Sequence, residues 1–164
     1  MHSRIVKPRR GPSLRVRPLR HGDVRTVMAV FRRLGDESRH ARFNGPKPCL
    51  TAGELRQLAT VDTTRHVLVA YVERDPLPVA IARLVRDGLS AEIAFAVADE
   101  YQRLGIGSAL TAELIADARA SGVTEITALV SSDNPAALAV IRPLLRAIDI
   151  RFEGPELSIR AAIA

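Results

Sequence analysis

The sequence predicts a mixed-sheet α/β fold, in which an antiparallel β-meander leads through a glycine-containing turn into one long helix. Three observations carry this expectation. His66–Glu73, Val79–Arg86 and Ser90–Val97 are β-rich runs separated by Asp75-Pro76 and Asp87-Gly88, the pattern of a meander. Gly105–Ser121 places Leu110, Leu114, Ile115 and Ala118 on one side and stops at Gly122, as an amphipathic helix does. A length of 164 residues, with 47% hydrophobic and 26% charged positions, suffices for one buried core and excludes a disordered or fibrous chain.

Taken in order, residues 1–13 hold Pro8, Gly11 and Pro12 among charges and read as a mobile basic arm, with a single domain expected over 14–164. Leu14, Val16 and Leu19 suggest a short strand interrupted by Pro18. Gly22-Asp23 opens a helical pattern through Val27, Met28, Val30, Phe31 and Leu34, closed favourably by Arg32 and Arg33. A further helical turn covers Asp36–Phe43, and Gly45-Pro46-Lys47-Pro48 breaks the chain. Thr51 and Glu54 have capping-box spacing for a helix to about Ala59. After the meander and the long helix, Glu125–Val130 reads as a strand. Asn134-Pro135 has the chemistry of an N-cap and first turn, and Pro143 kinks or ends that helix. Ile148–Phe152 and Leu157–Ile163 form a hairpin about Glu153-Gly154-Pro155, giving the order β-α-α-α-β-β-β-α-β-α-β-β.

Charge is unevenly placed. Residues 1–42 carry twelve Lys or Arg against three Asp or Glu, and 43–164 carry twelve against fifteen. The acid-free run from Arg4 to Arg20 suits nucleic acid, an acidic partner or a polyphosphate ligand, and equally a solvated tail. With 4% aromatics and no Trp there is little support for a base-stacking surface, so nucleic acid is not expected as a partner. One cysteine, Cys49, excludes an internal disulfide, and no Cys/His spacing resembles a metal site, so no metal is expected. No apolar run has bilayer-spanning length and no signal-peptide segment opens the chain, so a cytoplasmic protein without a membrane partner is expected.

The chemistry concentrates at Ala94–Leu110, where a buried strand meets the long helix through Gln102-Arg103-Leu104-Gly105-Ile106-Gly107-Ser108. Gly105 and Gly107 let backbone N–H groups approach an anion closely, the helix N-terminus adds unpaired donors, and Arg103 and Ser108 can supplement them. Glycines at this spacing serve tight turns and close packing equally well. The segment is neither a Walker A loop nor a dinucleotide fingerprint, since the lysine of one and the third glycine of the other are missing.

Gln102–Gly107 resembles the Gln/Arg-x-x-Gly-x-Gly/Ala signature of the GNAT acyltransferases. The resemblance runs from Leu14-Arg15-Val16-Arg17-Pro18-Leu19, similar to the family's first strand, to about Ile163, with Asn134-Pro135-Ala136-Ala137 similar to the start of its last helix. Phe31-Arg32-Arg33-Leu34, Glu37-Ser38-Arg39, Arg42-Phe43 and Ala91–Asp99 are most similar to the catalytic domain of bacterial protein-lysine acetyltransferases. The resemblance implies an acetyl-CoA cosubstrate between the strand ending at Val97 and the strand Glu125–Val130, which splay apart. It places the pyrophosphate on the backbone of Gln102, Arg103, Leu104, Gly105, Ile106, Gly107 and Ser108, and the pantetheine arm on backbone groups of Phe95, Ala96 and Val97. Asn134 matches a cofactor-contacting position, and an N-cap explains it as well. Leu104 stands where the family often has Arg or Lys, Ile141 where it often has Tyr, and Leu145-Arg146 replaces Gly-Phe.

An amine near pKa 10.4 must lose a proton before attacking a thioester, so a base near the strand helps. Glu92 is the candidate: it shares a face with Ala94 and Ala96, an apolar cleft raises a carboxylate's pKa, and it matches the acidic position of the lysine-acetylating relatives. A two-residue Asp87-Gly88 hairpin would instead set Arg83 opposite Glu92 as an ion pair. The implied activity is acetyl transfer from acetyl-CoA to a primary amine by direct attack in a ternary complex, with a protein lysine as the favoured acceptor. A small-molecule amine acetyltransferase, an acyl-CoA sensor without catalysis and an RNA-directed acetyltransferase are the alternatives. Oligomeric state is not legible, and a homodimer stays open.

Overall fold

Strand alternation puts two different apolar faces on one sheet, and helices cover both. In the computed structural model, which describes residues 3–163, the elements run β1 (Arg4–Val6), β2 (Leu14–Pro18), α1 (Val24–Arg32), α2 (Asp36–Phe43), α3 (Ala52–Leu58), β3 (Arg65–Val72), β4 (Ala80–Asp87), β5 (Ser90–Val97), α4 (Ile106–Ala120), β6 (Glu125–Ser131), α5 (Pro135–Ile141), β7 (Arg146–Glu153) and β8 (Glu156–Ala162). The eight strands form one sheet in the order β1-β2-β3-β4-β5-β6-β8-β7. Every neighbouring pair is antiparallel except β5 and β6, joined by the crossover helix α4. Leu68, Ala70, Ala82, Leu84 and Ile93 meet Leu110, Leu114 and Ile115 of α4 on one face, while Val67, Val69 and Tyr71 meet Val27 and Phe31 of α1 on the other.

Local chemistry sets the helix ends. Asp23 caps α1 by accepting from Thr26 N–H, at 3.0 Å. Thr51 and Glu54 form the reciprocal capping box of α3. Asn44 ends α2 in the left-handed conformation. Pro143 stops α5, and a 3-10 turn, Arg142–Leu144, follows. None of the helices among the described residues is long and apolar enough to cross a membrane.

Two expectations are corrected. The arm is not a mobile lead-in throughout: Arg4–Val6 pairs with β2, Arg4 opposite Val16. The Arg4 guanidinium reaches α4, donating to both Asp117 oxygens at 2.9 and 2.6 Å and lying 3.0 Å from Glu113. The β4–β5 hairpin is also displaced, because its two-residue loop is Gly88-Leu89 with Asp87 opposite Ser90. Gly88, at φ +60°, takes the first central position, where a type II′ turn places glycine. Glu92 therefore lies opposite Val85, and Arg83 opposite Ala94. The shift is by two residues, so the faces are kept while the expected Arg83–Glu92 pair becomes a diagonal neighbour without an ion pair.

Candidate functional site

The site begins where β5 and β6 part. Their parallel pairing covers only Ser90 with Glu125, Ala91 with Ile126 and Glu92 with Thr127, so Ile93–Val97 has no partner on that side. Ala98 N–H donates to Val79 O at 2.8 Å, which sets the alternation of the β4–β5 ladder. Backbone groups of Ala94 and Ala96 then point to β4, and those of Ile93, Phe95 and Val97 point into the opening. Phe95 thus offers its backbone N–H and carbonyl, and Val97 its N–H, to an extended amide-bearing ligand, the Val97 carbonyl being taken by Gln102. Ala96 differs from the expectation, since its backbone is engaged by the ladder and its side chain lies on the α1 face.

The opening ends at Gln102–Ser108. Arg103 at φ +62° and Gly105 at φ +79° are both left-handed, and such alternation curls successive N–H groups into an anion-binding nest. A non-glycine residue pays for that conformation, which makes Arg103 a strained position. The first helical bond of α4 runs from Ala109 N–H to Gly105 O at 3.0 Å, leaving the N–H groups of Ile106, Gly107 and Ser108 without acceptors among the described residues. No acidic residue lies in that first turn. A Cβ on Gly107 would lie 3.4 Å from Val97 Cγ2 and 3.6 Å from Val140 Cγ2, ordinary contact distances that leave room for a small side chain. Gln102 ties the turn to the strand, donating from Nε2 to Val97 O at 3.0 Å and to Ser38 Oγ at 2.9 Å. Pro8–Gly11 lies against the turn, since a Cβ on Gly105 would come 3.4 Å from Arg9 N and one on Gly11 would come 2.9 Å from Leu104 O.

Asn134 is occupied as the cap of α5, accepting from Ala137 N–H at 3.1 Å. Ile141 is buried in the core at 2% exposure. The two phenols are held elsewhere. Arg17 donates to Tyr71 Oη at 2.6 Å, and Tyr101 donates to Asp75 at 2.9 Å, a bond that raises the Tyr101 pKa. Glu92 closes the paired stretch at the mouth of the opening, with its side chain exposed on the α1–α3 face. The expected desolvation in an apolar cleft is therefore absent. Instead Glu92 shares a cavity of about 240 Å³ with Arg42 of α2 and Arg83 of β4; sequence reading had Arg83 as an ion-pair partner of Glu92 and did not bring Arg42 to the same place.

The acetyltransferase (GNAT) family model matches residues 32–144. The chain belongs to the GNAT acetyltransferase family. Among its relatives, Acetyltransferase Pat of Mycolicibacterium smegmatis is 38% identical over 136 residues, covering 80% of this chain and 40% of the relative. The chain thus spans well under half of that GNAT protein. The crystal structure of the GNAT domain of S. lividans PAT matches with a TM-score of 0.86 at 26% identity, over 98% of this chain and 96% of that one. The cAMP-binding acyltransferase from Mycobacterium smegmatis matches with a TM-score of 0.68 at 29% identity, over 99% of this chain and 48% of that one. The eight-stranded, mostly antiparallel sheet flanked by helices is that of the GNAT fold.

Proposed function

We propose that this GNAT chain transfers an acetyl group from acetyl-CoA to a primary amine, with a protein lysine as the favoured acceptor. The single observation that carries the reading is the open edge of β5 running into an acid-free nest of N–H donors, with a carboxylate at its mouth. Phe95 and Val97 would bind the pantetheine amides through backbone groups, and Gly105–Ser108 would hold the pyrophosphate. The acceptor amine, relieved of a proton by Glu92, attacks the thioester carbonyl. The C–S bond breaks, the thiolate leaves and is protonated from water or from the departing ammonium, and an amide remains. Cys49 is exposed and lines neither the opening nor the cavity, which favours direct attack over an acyl-enzyme. Acceptance of a lysine is supported by the resemblance to the protein-lysine acetyltransferases and by the Pat and PAT relatives.

A sensor that binds acyl-CoA without turnover is the second reading, favoured by the buried Ile141 at the place of the family's tyrosine. Thiol release measured with acetyl-CoA and a panel of lysine peptides, proteins and small amines separates them. Acceptor-dependent release is expected; none with any acceptor would leave the sensor.

A further inference from the structure

The Glu92 cavity carries more positive charge than its neighbours neutralise. Arg42 stacks over the Phe43 ring at 5.0 Å and has neither a hydrogen bond nor a carboxylate within 4.0 Å among the described residues. Arg83 donates to Gln57 O at 3.2 Å, and its Nε is buried without a partner. Glu54 lines the same cavity but is committed to Lys47 and to Thr51, whose hydrogen bonds hold its carboxyl down at about 2. Burial pulls the Arg42 guanidinium down to about 10, Arg83 adds to the fall and Glu92 opposes it, so Arg42 stays charged at neutral pH. The wall therefore presents two guanidiniums and one uncommitted carboxylate. Among the described residues Arg42 leaves its guanidinium unpaired and Arg83 its Nε, and the planar fork of each matches a carboxylate.

We propose that Arg42 and Arg83 form an anion subsite for the acceptor, holding a carboxylate carried close to the amine and setting that amine beside Glu92. This rests on the amine-acceptor reading above and narrows it. In a protein the carboxylate is an acidic residue adjoining the acceptor lysine; in a small acceptor it is the molecule's own acid group. A small apolar slot of about 30 Å³, bounded by Phe31, Leu34, Ile81 and Ala96, shares the Arg42 and Arg83 wall. The same field repels a second ammonium, which makes polyamines poor acceptors. It also favours the neutral amine, the form that attacks.

The test is calorimetric binding to the CoA-bound protein of two probe pairs: capped peptides containing Lys-Glu or Lys-Gln, and free lysine or lysinamide. The acidic peptide should bind about tenfold tighter than its twin, and the preference should weaken as salt rises. The preference should fall below about threefold in Arg42→Gln and Arg83→Gln, and Arg42→Lys, which keeps the charge but loses the planar fork, should retain only part of it. A preference confined to the lysine and lysinamide pair would keep the anion subsite while removing the protein acceptor. No preference in either pair with the parent protein would overturn the proposal, and that comparison needs no variant to fold.

Discussion

Replacing Arg4 by alanine removes both hydrogen bonds to Asp117 and the contact with Glu113, while leaving the backbone pairing of β1 intact. Hydrogen bonds to charged groups contribute about 1.5–3 kcal/mol when well shielded, and exposed ion pairs about 0–1 kcal/mol. The Arg4 and Asp117 side chains are 36% and 27% exposed, so the two limits must be averaged toward the solvent-screened one. A loss of about 1 kcal/mol follows, or roughly 2–4 °C in Tm for a domain of this size. Burial alone would raise the Asp117 pKa, but hydrogen bonds from Arg4 and His66 outweigh it and hold the carboxyl below its usual range. A depressed carboxyl pKa contributes stability above the unfolded value of about 3.9 and loses it as pH falls through the folded value. Urea unfolding should therefore show the Arg4→Ala deficit in full at pH 7 and shrinking below about pH 4. A deficit under about 0.3 kcal/mol at pH 7, or one equal at pH 3 and pH 7, would refute the clasp and restore a solvated arm.

Glu92→Gln should lower kcat by about 10²–10⁴ with little change in acetyl-CoA affinity or Tm, and should remove the rising acid limb of kcat/KM. An unchanged rate would leave positioning alone as the source of catalysis. Gly105→Val should abolish calorimetric acetyl-CoA binding, because a β-branched residue is strained at φ +79° and its side chain meets Arg9 and Pro8. Asn134→Ala should cost about 1 kcal/mol in urea unfolding as a lost N-cap, while acetyl-CoA affinity stays near the parent's. A large loss of affinity there would make Asn134 a cofactor contact.

The legible parts of the chain were those whose cause is local. The capping box at Thr51 and Glu54 spans three residues, and the strand Ser90–Val97 and helix α2 emerge with the bounds their composition predicts. β1 was not legible, because three residues among arginines carry no periodicity and are held by partners on β2 and α4, the latter 113 residues away. Register was read one turn type away from the truth, because Asp87-Gly88 fits a type I′ loop and only the sheet selects Gly88-Leu89 instead. The turn Gln102–Ser108 was singled out through its resemblance to the family signature, whereas the left-handed pair Arg103 and Gly105 emerges only in the backbone geometry.

That register error bears on the chemistry. Had Arg83 stood opposite Glu92, the carboxylate would have been spent in an ion pair and the pKa pushed away from base duty. With Val85 opposite, Glu92 is left facing a cavity whose guanidiniums come from α2 and β4, forty-one positions apart in the chain. Glu92 is at once the last residue paired to β6 and the uncommitted carboxylate of that cavity. A single strand position thus joins the open β5 edge, the proposed place of the acyl donor, to the arginine-lined space, the proposed place of the acceptor. The type II′ turn at Gly88 is what sets that coincidence, since moving the loop back to Asp87-Gly88 would set Arg83 opposite Glu92 and engage the proposed base in an ion pair.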